Sequence, residues 1–213
     1  VLADLQLEVE GALAMTLRMG EALDMSLAGD ERERLLLRLG LPTGKYWICK
    51  RTPFHVYEAM ECFGGNGVTE DFIFARLYRD APINAIWEGS GNVQALDLLR
   101  AVGKSPETLD AWYSELGKTA GEHPLLDAAV TELQLALGDG DGDGDTLHYR
   151  ARSIADRLAL VVQGSLLLRS GNEAVADAFI RSRLGGRGDR NFGTLPVGVD
   201  VAALIDRANP RAA

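Results

Sequence analysis

The sequence predicts an all-α fold, a helical bundle plus a helical extension. Apolar residues recur at helical spacing along nearly the whole chain, and no segment shows the alternation that is typical of a half-buried strand. Composition agrees with a folded chain, because 46% of the 213 residues are hydrophobic and 25% are charged.

The predicted helices follow one another in order. The first covers residues 3–28, where apolar side chains stand four apart at Leu5, Val9, Leu13 and Leu17. A shorter helix ends at Gly40. A long helix over 45–63 is expected to kink or restart at Thr52–Pro53, because proline removes a helical hydrogen bond. The last predicted pair forms a helical hairpin joined at Gly171–Asn172.

The cysteines and one acidic repeat give no support for a disulfide or a metal site. Cys49 and Cys62 lie 13 positions apart, so two buried thiols in a reducing cytosol are expected. In "GDGDGDGDT", residues 138–146, the aspartates match the first half of a calcium loop. Its twelfth position is Arg150 in place of the bidentate glutamate. We therefore predict a solvated loop and no metal.

The chain opens inside a helical pattern, "VLADLQLEVEGALAM", without an initiator methionine, a basic segment or a cleavage site. No apolar run approaches the roughly 20 residues that span a bilayer. We expect a fragment of a longer cytoplasmic protein that makes no membrane contact.

Charge is distributed unevenly along the chain. Residues 146–213 contain ten Arg, no Lys and six acidic residues, a net charge of +4, whereas the preceding residues carry −13. The acidic part would repel nucleic acid, but the arginine-only tail would not. Because phosphate contacts need clustered charge and these arginines are interspersed with aspartates, a solvated surface or subunit interface is favoured over DNA binding.

One acidic residue, Glu88, lies in sequence surroundings that would suit a catalytic carboxylate. Glu88 lies between an apolar segment and the turn "GSGN", where a carboxylate can be desolvated and backbone N–H groups are free to meet an anion. A second glycine loop, "GGNG" at 64–67, allows the backbone to approach a phosphate closely. From the residues alone, Glu88 could equally be a capping carboxylate, and the glycines could be helix stops.

The stretch "MECFGGNGVTEDFIFARLYRDAPINAIWEGSGNVQALDLLRA" resembles the C-terminal helical domain of the flavin-dependent acyl-CoA dehydrogenases. The family shows a Gln-x-x-Gly-Gly-x-Gly loop, an Arg-Asp-Ala element and an aromatic-Glu-Gly-Thr/Ser motif, in this order and at matching separations. The resemblance covers residues 1–102, and the first predicted helix is also similar to one of that domain. It implies two domains, a bundle at 1–103 and an extension at 104–213.

The resemblance implies an enzyme that desaturates an acyl-CoA thioester. Glu88 would be the base that takes the α-proton, and its backbone N–H would help to polarise the thioester carbonyl. FAD would accept the β-hydride. Trp87 would line the acyl pocket, and Gly89 would also lie against the substrate.

The same resemblance assigns a set of FAD contacts. Ser90 and Asn92 stand where the family's Thr/Ser and Gln approach the flavin nucleotide, and Gly64 and Gly65 would approach the diphosphate of a neighbouring subunit. Two positions depart from the pattern. Glu61 replaces the loop's usual Gln and places a carboxylate near the diphosphate, and Asn92 is one methylene shorter than Gln. Since the family's FAD-enclosing domains are absent, this chain alone is expected to be inactive.

The last hundred residues resemble the extension of the AidB-type branch of the family, whose appended helices bind duplex DNA. Three hypotheses therefore remain open: an acyl-CoA dehydrogenase, a DNA-alkylation-response flavoprotein, and a helical oligomerisation module without activity. The resemblance also implies a homo-oligomer, dimer or tetramer, formed through the C-terminal helices, and allows an electron-acceptor flavoprotein as partner. An acid between Trp87 and Gly89 favours the dehydrogenase, because a vestigial site has no physical need for it.

Overall fold

Two long antiparallel helices, α1 (Leu2–Leu27) and α2 (Glu31–Glu61), form the first hairpin. Asp30 caps α2 by accepting hydrogen bonds from the backbone N–H groups of Arg32 and Glu33. The computed structural model describes residues 1–138, 144–186 and 191–210. Within these ranges the regular elements are all helical, which confirms the predicted all-α class.

The remaining helices follow in chain order. They are α3 (Phe74–Asp80), α4 (Gly91–Lys104), α5 (Glu107–Leu116), α6 (Pro124–Gly138), α7 (Gly144–Tyr149), α8 (Ala151–Arg169), α9 (Glu173–Leu184) and α10 (Val201–Arg207). Single 3-10 turns lie at Gly64–Gly67, Ala81–Ala85 and Gly117–Thr119. The predicted hairpin at Gly171–Asn172 is confirmed, because Asn172 caps α9 through the N–H of Val175.

Helix α2 corrects the predicted breaks at Gly40 and at Thr52–Pro53. It runs unbroken through both prolines, Pro42 and Pro53. Buried residues over its first half pack against α1, α4, α5 and α8, and this packing outweighs the local cost of proline. Beside each proline a threonine hydroxyl bonds back to a helical carbonyl, from Thr43 to Leu39 at 2.8 Å and from Thr52 to Ile48 at 2.7 Å.

A shared core joins the first hundred residues to the following helices. Its fully buried members come from α1, α2, α4, α5, α6, α8 and α9, with Met15, Leu36, Leu98, Trp112, Leu133, Leu158 and Ile180 among them. A second cluster around Leu7, Phe179 and Leu204 fastens α9 and α10 to the start of α1. Whether residue 103 also marks a domain boundary stays a prediction.

The apolar residues of α1 lie on two faces. Met15 and Leu7 are fully buried, whereas three members of the stripe noted in the sequence, Val9, Leu13 and Leu17, are 44%, 52% and 65% exposed. The spacing therefore identified a helix, but of its apolar stripe only Leu5 lies on the face that this chain buries. The rest of that stripe is an open apolar surface.

Candidate active site

Glu88 lies on a tight loop between the 3-10 turn Ala81–Ala85 and α4. Its φ of 51° is the one positive value found among the described non-glycine residues, and the next residue, Gly89, has φ 101°. Left-handed geometry at a non-glycine residue costs energy and persists only where neighbouring structure enforces it. The loop is therefore held in place by something outside its own sequence.

Two side chains hold this loop by its carbonyl groups. The amide of Gln94 donates to the carbonyls of Glu88 at 3.1 Å and Gly89 at 3.3 Å. The ammonium of Lys45, from α2, donates to the carbonyl of Gly89 at 2.8 Å and also to that of Trp87. Three consecutive carbonyls are thus fixed from two different helices.

Gly89 is favoured by its left-handed conformation, and its missing side chain also leaves room for Gln94. A Cβ built there would lie 2.5 Å from Nε2 of Gln94, so the amide of Gln94 would have to move and its hydrogen bonds to the loop would be disturbed. Gly89 therefore helps to position Glu88.

The Glu88 side chain is exposed, and none of the described residues forms a hydrogen bond or ion pair with its carboxylate. Its apolar neighbours Ile83, Ile86 and Trp87 are themselves 46%, 61% and 58% exposed. The expected apolar surroundings are present in sequence, but they face outward. An apolar ligand or another protein surface would be needed to exclude water from the carboxylate.

Ser90 and Asn92 lie at the exposed start of α4. Ser90 occupies the N-cap position, but its hydroxyl makes no capping bond to the helix. Its oxygen is therefore free to meet a ligand, and the first turn of α4 presents the positive end of the helix dipole.

The second group of predicted residues lies at the other end of α2. Glu61 is the last residue of the helix, and Gly64 and Gly65 are exposed in the following turn, with open space where a Cβ would stand. The Glu61 carboxylate lies near Tyr57, because a hydrogen bond between them is the main cause that raises the pKa of the Tyr57 hydroxyl. The carboxylate that replaces the family's Gln therefore interacts with a side chain one turn earlier on its own helix.

The structure does not bring these two groups together. Lys45, which contacts the Glu88 loop, and Glu61 are separated by a helical run that spans about 24 Å at 1.5 Å per residue. The glycine turn and the Glu88 loop are therefore two separate patches of one chain. This separation fits the expectation that the glycine turn serves a neighbouring subunit.

Sequence reasoning missed Lys45 and Gln94. Gln94 carried a weak signal, as a polar residue in the first turn of an apolar helix just after the motif. Lys45 carried none, because its contacts join residues 42 and 44 positions apart and a lysine on a helix is usually only solvated.

The arginines of the last segment are occupied by internal contacts. Each one that the structure describes has a partner within the chain: Arg150 with the Ala136 carbonyl, Arg152 with Tyr46, Arg157 with Glu132, Arg169 with Glu115, Arg181 with Asp177, Arg183 with Asp4 and Arg207 with Glu10. In the part of the chain with assigned positions, they do not form the open basic cluster that phosphates require. DNA binding remains a prediction, and the arginines that the structure describes give it no support.

Two further predictions concern metal and membrane. The aspartates of the predicted solvated loop, Asp139, Asp141 and Asp143, lie outside the described residues. Elsewhere among the described residues, no group of three or more His, Cys, Asp or Glu side chains is arranged to hold a metal ion. None of the described helices combines the length and apolarity needed to cross a bilayer.

Comparison with known proteins gives a consistent result. The model for the C-terminal domain of acyl-CoA dehydrogenases matches residues 1–103. AidB of Escherichia coli (strain K12) is 35% identical over 188 residues, which cover 88% of this chain and 33% of that protein. Acyl-CoA dehydrogenase family member 11 of Caenorhabditis elegans is 32% identical over 78% of this chain and 30% of its own length.

Solved structures agree with the sequence relatives. The crystal structure of Caenorhabditis elegans ACDH-11 in complex with C11-CoA has a TM-score of 0.73 at 29% identity, and covers 82% of this chain and 33% of that one. The chain thus spans about a third of the length of the relatives it matches. Residues 1–103 therefore belong to the acyl-CoA dehydrogenase family as its C-terminal domain, and the similarity to AidB extends over most of the chain.

Proposed function

We propose that this chain is the C-terminal part of a flavin-dependent acyl-CoA dehydrogenase, in which Glu88 removes the α-proton of an acyl-CoA thioester. The observation that carries the proposal is the Glu88 carboxylate, which has no partner among the described residues and stands on a strained loop fixed by Lys45 and Gln94. An exposed, unpaired glutamate is common on a protein surface. Glu88 differs because its backbone is held in a left-handed conformation by two side chains, while its carboxylate is left exposed.

The chemistry follows from the position of Glu88 beside the loop backbone. Loss of an α-proton leaves negative charge that spreads onto the thioester oxygen, so a base must act together with a nearby donor. The backbone N–H of Glu88 is the donor that the family motif suggests. Trp87, exposed next to Glu88, would lie against the acyl chain and keep water from the carboxylate, and Gly89 would leave room for the thioester.

The residues proposed for FAD fit that group. A diphosphate needs backbone or hydroxyl donors that it can approach closely. Ser90 and Asn92 are exposed at the start of α4, and Gly64 and Gly65 are exposed without side chains, while Glu61 is engaged with Tyr57. When bound, FAD would supply the acceptor for the β-hydride.

The proposal includes an assembly. Because the glycine turn and the Glu88 loop lie far apart, one chain would contribute to two cofactor sites, which requires a homo-oligomer. The exposed stripe Val9, Leu13 and Leu17 offers an apolar surface for further contacts within the protein. The proposed enzyme is cytoplasmic and passes its electrons to an acceptor flavoprotein.

The test uses the flavin-loaded protein that contains this chain, without oxygen. Acyl-CoA thioesters of different lengths are added while the visible flavin absorbance is recorded. We expect thioester to bleach the flavin of the wild-type protein, and the rate of this reduction to fall by a factor of about 10² or more in Glu88→Gln. Glu122→Gln, at an exposed loop glutamate, is the matched control, and its flavin should be reduced at the wild-type rate. The proposal would be refuted if no thioester reduces the wild-type flavin, or if the flavin of Glu88→Gln is reduced at the wild-type rate.

A further inference from the structure

The conformation of the Glu88 loop depends on a contact that the loop sequence does not contain. The carbonyls of Trp87 and Gly89, one on each side of Glu88, converge on the single ammonium of Lys45. Two carbonyls from residues i−1 and i+1 meet one donor only if the chain turns sharply between them. The φ of 51° at Glu88 is that turn.

Lys45 is well suited to act as a fixed donor. An ammonium group carries three hydrogens, so it can serve two carbonyls at once. Lys45 also lines the apolar groove between α1 and α2, together with Leu41, Ile48 and Cys49. Among the described residues it forms no ion pair with a carboxylate, so its hydrogen bonds go to the loop.

The part of α2 that carries Lys45 is rigid. Its neighbours Gly44 and Tyr46 are buried, and a Cβ at Gly44 would lie 3.3 Å from Cε of Met15 on α1. The packing of α2 therefore fixes the position of the Lys45 ammonium, and the ammonium in turn fixes the position of the loop. Gln94 adds a second support from α4, but it reaches only the Glu88 and Gly89 carbonyls.

We propose that Lys45 is a positioning residue, which sets the direction of the Glu88 carboxylate by holding the carbonyls on either side of it. This inference rests on the proposed function of Glu88 and adds the residue that makes its geometry possible. Lys45 touches neither substrate nor cofactor in this account. It acts through the loop backbone.

The test compares Lys45→Met, which keeps the stem and removes the donors, with Lys45→Arg, which keeps a donor. Lys104→Met, at an exposed lysine in the last turn of α4, is the control. In this chain, labelled for NMR, the ¹³C chemical shifts of Glu88 and Gly89 report the left-handed geometry. We expect them to change in Lys45→Met and to persist in the other two variants.

In the flavin-loaded protein, Lys45→Met should lower the rate of flavin reduction at saturating thioester by about 10- to 100-fold. The thioester concentration for half-maximal rate should change little, and Lys45→Arg should restore most of the rate. Unchanged shifts in Lys45→Met, or changed shifts with a normal rate, would overturn the proposal. If even the wild-type flavin is not reduced, the proposed function fails and the positioning role fails with it, whereas the shifts still show whether Lys45 holds the loop.

Discussion

Replacing Glu115 by glutamine removes the centre of a buried charge cluster. The Glu115 side chain is 3% exposed and accepts hydrogen bonds from Nε of Arg18 at 2.8 Å, from Arg169 at 2.6 Å and from Lys118 at 2.6 Å. Arg18, itself 5% exposed, also binds Glu33 at 2.8 Å. The cluster joins α1, α2, α5 and α8, so it fastens the extension to the first hundred residues.

The magnitude follows from the pKa of Glu115. Burial alone would raise it, but the hydrogen bonds from Arg18, Lys118 and Arg169 outweigh burial and lower the pKa from 4.5 to about 2. Because the folded pKa is depressed, the stabilisation is complete above the unfolded pKa and is lost as the pH falls toward 2. The shift corresponds to about 3 kcal/mol at pH 7 and to about 1 kcal/mol at pH 3.

Urea unfolding followed by circular dichroism measures this difference. At pH 7, Glu115→Gln should lower the free energy of unfolding by about 3 kcal/mol, and the gap to wild type should narrow to about 1 kcal/mol at pH 3. Glu107→Gln, at an exposed glutamate in the first turn of the same helix, should cost less than about 1 kcal/mol at either pH. A Glu115→Gln gap that does not change with pH would refute this reasoning.

Glycine substitutions test the packing of α1 and of the Glu88 loop. In Gly11→Ala the new Cβ would lie 2.8 Å from Cε2 of Phe179, so thermal unfolding should reveal a loss of about 1–3 kcal/mol. Gly20→Ala, in the same helix but with open space around it, should instead stabilise by up to about 1 kcal/mol, and equal effects at both sites would contradict the packing described. Gly89→Ala should cost about 1–2 kcal/mol, because it adds left-handed strain and a 2.5 Å approach to Gln94, and a neutral result would show that the loop relaxes freely.

The sequence was sufficient to predict the fold class and several of the helices. Helical spacing and the glycine and asparagine stops identified α1 and the α8–α9 hairpin, because these signals are local. The predicted breaks in α2 were wrong, since the packing of its buried half outweighs the local effect of Pro42 and Pro53. Which apolar stripe of α1 is buried depended likewise on contacts with distant helices.

The candidate site was only partly predictable. The motif indicated Glu88, and the structure adds its left-handed backbone and the support from Lys45 and Gln94. The Lys45 contact depends on how α2 packs beside the loop, and no local pattern reports that. The role of Glu88, like those of Ser90 and Asn92, remains a proposal.

The most direct test of the central claim follows the α-proton itself. An acyl-CoA thioester is incubated in D₂O with the flavin-loaded protein, without oxygen or an electron acceptor, and the mass of the recovered thioester is measured. We predict that the wild type introduces deuterium at the α-carbon at least about 10² times faster than Glu88→Gln, with Glu122→Gln equal to wild type. Exchange at the wild-type rate in Glu88→Gln would show that another group removes the proton, and would contradict the account.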